Sequence, residues 1–162
     1  MKSEKLSNEI SLSGPALVEL LRAVLDKGMP FRFQAKGASM SPFIKDGDVI
    51  IVSPLSGALP RRGDVVAFTH PQTQSLVVHR IVAKKGDCFI IKGDNTSNTG
   101  DLILKANILG CVTRVKRDGK KIFMGLGPER FLIALLTRRG LLFPLLYPLK
   151  RMLGPIIRRL AI

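Results

Sequence analysis

A chain of 162 residues, 46% apolar and 23% charged, has the composition of one globular domain, which excludes a mainly disordered or low-complexity protein. Its net charge of +14 is uneven: residues 1–113 hold 14 Lys/Arg against 10 Asp/Glu, while residues 114–162 hold 12 against 2. Cys88 and Cys111 lie in apolar runs without metal-ligand spacing, and His70 and His79 stand apart. These residues point to core thiols and to no disulfide framework, metal site or cofactor.

The opening stretch MKSEKLSNEISLSG carries acidic residues and no apolar core, so a signal peptide or N-terminal anchor is not expected. A first helix is predicted from about Pro15 to Lys27. Ser13 would cap it, Leu17, Leu20, Leu21, Val24 and Leu25 would form its apolar face, and Gly28 would end it. The chain then alternates in the manner of a sheet protein. Strands are predicted at Phe31–Lys36, Asp48–Ser53, Gly63–Thr69, Leu76–Ala83, Cys88–Lys92, Ile108–Lys116 and Lys121–Met124, punctuated by Gly-Asp turns at 47–48, 63–64, 86–87 and 93–94. The chain thus divides into three segments: a helical start over 1–30, a β domain over 31–125 and a basic tail over 126–162.

The tail, RFLIALLTRRGLLFPLLYPLKRMLGPIIRRLAI, is apolar as well as basic. A nucleic-acid arm would be polar between its basic residues, so nucleic acid is not the expected partner. A transmembrane span is also disfavoured. Arg138 and Arg139 interrupt the run, at about 2.5–3.5 kcal/mol each near a bilayer centre, and Pro144 and Pro148 break the apolar stretch from Gly140 to Leu149. Short helices lying on an anionic membrane surface fit the pattern better, with packing on the domain as the alternative. The expectation is a cytoplasmic protein, peripheral on the inner face of the membrane.

After the first predicted strand comes GASMSPFIKDGDVIIV, which opens as a tight bend of small and turn-forming residues that exposes Ser39 and runs on into the second strand. A turn needs no partner for such a serine, whereas a nucleophile needs a base and an orienting group. SLVVHRIVAK places His79 in an apolar strand, and IIKGDNTSNTGD carries Asp94 and Asp101 in a polar loop. An EF-hand alternation is missing there, which sets calcium aside. A bend serine, a strand histidine and a loop aspartate supply the three parts of a hydroxyl nucleophile, its base and its orienter.

These segments resemble type I signal peptidases and, more loosely, the self-cleaving SOS-repressor proteases. GASMSPFIKDGDVIIV is similar to the Ser-Met-x-Pro box, RRGDVVAF to the Gly-Asp-Val-Val strand, VVHRIV to the base-bearing strand of the histidine type, and KGDNTSNTGD to the Gly-Asp-Asn box. The resemblance implies a mainly β catalytic domain, a coiled antiparallel sheet with an N-terminal helix and a helical basic C-terminal tail. It implies a serine endopeptidase acting on an extended peptide or precursor protein. In it Ser39 is the nucleophile, His79 the base, Asp101 its orienter, Thr99 a supporting hydroxyl and Asp94 a loop brace. Gly37 stands where many relatives carry a hydroxyl, so backbone N–H groups near Ala38 and Ser39 are expected to hold the oxyanion. The alternatives are a self- or partner-cleaving regulator of the repressor type and a non-catalytic, membrane-associated scaffold.

Overall fold

The computed structural model of the protein describes residues 14–148. The expected cap Ser13 and the tail beyond Pro148 lie outside the described residues. Helix α1 spans Gly14–Asp26 and buries Val18, Leu21 and Leu25 on one stripe. The buried face is therefore rotated slightly from the expected one, leaving Leu20 43% exposed. Gly28 ends the helix at φ 74, a conformation open to glycine, with its N–H donating to Leu25 O at 2.9 Å.

Eight strands come next: β1 Phe31–Gln34, β2 Val49–Ser53, β3 Val65–Thr69, β4 Leu76–Lys85, β5 Cys88–Lys92, β6 Asp101–Leu104, β7 Ile108–Arg117 and β8 Lys120–Ile122. They form one antiparallel, unclosed sheet in the order β1-β2-β7-β3-β4-β5-β6, with β8 paired to β7. Strand β3 is buried along its whole length because it is covered on both faces. Val65 and Ala67 join a core with Leu21, Leu25, Met40, Ile44, Ile50, Val52, Val112 and Val115, while Val66 and Phe68 face Ile81, Phe89, Ile91, Ile103 and Ile108.

The pairing of β4 changes partway along. Residues Leu76 to Arg80 pair with β3, but β5 joins only from Arg80 onward. Among the described residues, the outer edge of Leu76–His79 therefore has no strand beside it, and neither has the outer edge of β1. Both edges border one cleft of about 970 Å³, roofed on one side by Leu17 and Leu20 of α1. Curling of the sheet brings these two edges to a common groove.

The described part of the C-terminal segment is helical, as expected. Helix α2, Arg130–Arg139, ends in Gly140 at φ 69, whose N–H meets Leu136 O and Thr137 O. Helix α3, Leu142–Pro148, turns away from α2 by 111°. No single helix among the described residues is long and apolar enough to cross a membrane, although the bent pair has the length and composition together. Ile133 and Leu142 pack with Phe43 in a third apolar cluster, so α2 rests against the β domain.

Candidate active site

The bend predicted around Ser39 is a short run of turns. Ser41 N–H donates to Ala38 O at 3.0 Å, and the N–H groups of Phe43 and Ile44 donate to Met40 O at 3.1 and 3.0 Å. Met40, Phe43 and Ile44 are buried and pin this turn to two of the apolar clusters. Gly37 enters it at φ 87, with its N–H donating to Asp46 Oδ1 at 2.7 Å. Ser39 is left half-buried at the end of the cleft.

His79 reaches the same point from β4, where it sits opposite Val66 with its ring 6.2 Å from that of Phe68. His79 Nε2 and Ser39 Oγ are 3.1 Å apart. For the hydroxyl to donate to Nε2, the neutral ring must carry its proton on Nδ1. Nδ1 is buried and has no hydrogen-bond partner among the described residues. Burial holds the His79 pKa below the ordinary imidazole value, while Asp101 and then Asp94 oppose this through their charge. A neutral imidazole beside a serine hydroxyl is the protonation state that a general base requires.

The two aspartates of the Gly-Asp-Asn segment have different surroundings. Asp101 begins β6 opposite Ile91, in a strand that comes after the polar loop without an apolar alternation to announce it. It acts on His79 by charge and makes no side-chain hydrogen bond among the described residues. Thr99 is exposed on the preceding loop. Asp94 is fully buried against Arg80, which donates to its carboxylate from Nε at 2.9 and 3.1 Å and from Nη2 at 2.7 Å. Arg80 Nη1 also donates to Gly63 O at 2.9 Å and Gly125 O at 2.7 Å. Thr137 of α2 donates its hydroxyl to Asp94 Oδ1 at 3.1 Å, and buried Lys92 donates to Thr137 O at 2.9 Å. Arg80 directly follows His79, so this network fixes the strand that carries the base and ties α2 to it.

Two residues of this segment matter in ways not read from the sequence. Asn95 clamps the serine turn, with its backbone N–H donating to Ser39 O at 2.7 Å and its side chain Nδ2 donating to Ala38 O at 3.1 Å. Gly93 gives the turn room. A Cβ there would sit 2.7 Å from Ser39 O, 2.7 Å from Thr96 Cγ2 and 3.1 Å from His79 Nε2. The signal for both was the Gly-Asp-Asn string itself, in which the carboxylate draws attention and the absent side chain does not.

Cys88 and Cys111 are free and half-buried, and burial pushes the Cys111 thiol up to about 11. A thiolate nucleophile at that position is therefore disfavoured. Among the described residues, no group of three or more His, Cys, Asp or Glu could hold a metal ion. The arrangement capable of chemistry is the serine–imidazole pair at the end of an open, mostly apolar cleft.

A search of curated proteins returns no match to the chain. Residues 9–122 match the Peptidase S24-like family, a stretch that includes α1, all eight strands and both members of the serine–imidazole pair. That match covers well over half of the chain, and the protein therefore belongs to the Peptidase S24-like family of serine peptidases.

Proposed function

We propose that the protein is a signal-peptidase-like serine endopeptidase in which Ser39 attacks, His79 takes the proton and Asp101 steadies the charged imidazole through space. The observation that carries this reading is the 3.1 Å approach of His79 Nε2 to Ser39 Oγ at the end of the cleft. An extended peptide would add to the free edges of β1 and Leu76–His79, with backbone pairing supplying affinity. By the resemblance, small residues such as alanine are preferred just before the cut.

In the chemistry, the Ser39 proton passes to Nε2 as Oγ forms a bond to the scissile carbonyl carbon. The oxyanion lies toward the N–H groups of Ala38 and Ser39, which donate to no acceptor among the described residues. The imidazolium then gives its proton to the leaving amine as the C–N bond breaks. Water, deprotonated by the same ring, releases the acyl group from Ser39. Labelling of Ser39 by a serine-reactive probe, lost on His79→Ala, tests this reading.

A second reading, a regulator that cleaves itself or a partner, draws support from the Peptidase S24-like match. Cleavage of the chain at a rate independent of its concentration, with no turnover of added peptides, favours that reading. The remaining proposal concerns place. Helices α2 and α3 and the link between them expose Phe131, Leu132, Leu141, Phe143, Leu145 and Tyr147 beside Arg138 and Arg139. Apolar and cationic side chains together suit the anionic inner leaflet, where each basic residue adds about 1 kcal/mol of attraction. The protein would thus be cytoplasmic and peripheral on the membrane.

A further inference from the structure

Along β1 and the two residues after it the side chains alternate. Phe31, Phe33 and Ala35 pack toward the α1 side of the core, while Arg32, Gln34 and Lys36 are exposed. Both sets line the cleft, together with Leu17, Leu20, Leu76 and Val78. Among the described residues lining it there are two cations, Arg32 and Lys36, and no carboxylate. Neither cation has an ion-pair partner among the described residues, whereas Arg80, Arg117 and Arg130 each have one. Gln34 is committed to Gly47 O at 3.1 Å. Asp46, just beyond the strand, accepts from the Gly37 N–H at 2.7 Å and belongs to the serine turn.

A strand added at this edge has the same two-residue alternation as β1. Side chains on one of its faces would meet Leu17, Leu20, Phe31 and Phe33. Those on the other would stand beside Arg32 and Lys36. Ala35 continues the pairing past the end of β1, its N–H donating to Asp48 O at 2.7 Å, so at about 3.3 Å per residue of extended chain Arg32 and Lys36 are about 13 Å apart, matching substrate positions i and i+4. Oppositely charged cross-strand neighbours stabilise such a pair, and like charges oppose it.

Resting on the peptidase reading above, we infer that the cleft selects extended peptides with apolar residues on alternate positions and carboxylates at i and i+4 on the intervening face. Arg32 and Lys36 are the specificity-determining residues. Each exposed pair changes affinity about twofold to fivefold, an effect that falls in high salt. The selection lies in binding, because neither cation touches the reacting atoms.

The test uses the full chain carrying Ser39→Ala and fluorescent peptides of alternating valine and serine, in which the serines at i and i+4 are replaced by Asp, Asn or Lys. Binding is read by anisotropy at low and high salt, and cleavage of the same peptides is read with the unmodified chain. Binding in the order Asp, Asn, Lys is expected, reversing to Lys, Asn, Asp when Arg32→Glu and Lys36→Glu are added. The milder pair Arg32→Gln and Lys36→Gln should flatten the order. Equal binding of all three peptides, or an order unchanged by charge reversal, overturns the inference. The two readings separate cleanly. Charge-selective binding without cleavage would leave the specificity standing and remove the peptidase. Cleavage without charge selection would do the opposite.

Discussion

Gly93→Ala probes the packing on which the serine–imidazole pair depends. The added Cβ would lie 2.7 Å from Ser39 O, and ordinary contact begins at 3.4 Å, so one of them must move by about 0.7 Å. Ser39 O is backbone, already held by Asn95 N–H at 2.7 Å, and cannot swing away as a side-chain end could. The displacement falls on the turn that carries the nucleophile, with His79 Nε2 only 3.1 Å from the same Cβ. A misplacement of about 1 Å can cost on the order of 100-fold in rate, so a fall of about 10- to 100-fold in kcat/KM is expected. Overpacking also lowers stability, by about 1–3 kcal/mol. Gly110→Ala is the matched control. Its Cβ would meet Ser53 O at 2.5 Å, against β2 and not the serine turn, so it should lower the melting temperature while the folded fraction keeps its activity. Peptide cleavage and thermal melting of both variants decide the matter. Wild-type turnover in Gly93→Ala would refute the packing argument.

Asp94→Asn leaves the buried Arg80 without its charged partner and should destabilise the fold by about 3–5 kcal/mol, seen by denaturant titration. Asp101→Asn breaks no hydrogen bond, so it should melt near wild type yet lower turnover by weakening support for the imidazolium. Burial lowers the His79 pKa, so the acid limb of kcat/KM should have its midpoint below 6.5, the ordinary value, and Asp101→Asn should move it lower still. The sign carries over to stability: the unfolded chain takes up the His79 proton first, so this contribution is lost as pH falls below about 6.5. Charge reversal at the exposed pair, Arg138→Glu with Arg139→Glu, should weaken binding to anionic vesicles in a co-sedimentation assay and leave peptide cleavage intact.

The helix and seven of the strands were legible because each combines an apolar period with glycine punctuation. The boundaries of Cys88–Lys92 matched throughout, and Leu76–Lys85 ran only two residues beyond expectation. β6 was missed because Asp101–Leu104 is short, begins on a carboxylate and exposes Leu102 and Leu104. Leu20 was placed on the buried face of α1, since periodicity alone does not say that a cleft opens beside the stripe. At the site, Ser39 and His79 could be named from turn and strand chemistry. The network around Arg80 could not, because its members Gly63, Asp94, Gly125 and Thr137, the last bonded to Asp94, come from four separated segments. Asp94 and Asp101 share one segment of sequence, and what the sequence leaves out is the partner: Asp94 is bound to buried Arg80, whereas Asp101 makes no side-chain hydrogen bond among the described residues.

The central claim is that Ser39 is a nucleophile activated by His79. The most direct measurement is mass-spectrometric mapping of a serine-reactive probe on the unmodified chain, with rates compared in His79→Ala. The expected result is a single adduct on Ser39, forming with an acid limb below pH 6.5 and at least about 100-fold more slowly without the imidazole. Equal labelling of Ser39 in both proteins, or none at Ser39 in the folded wild type, would contradict it.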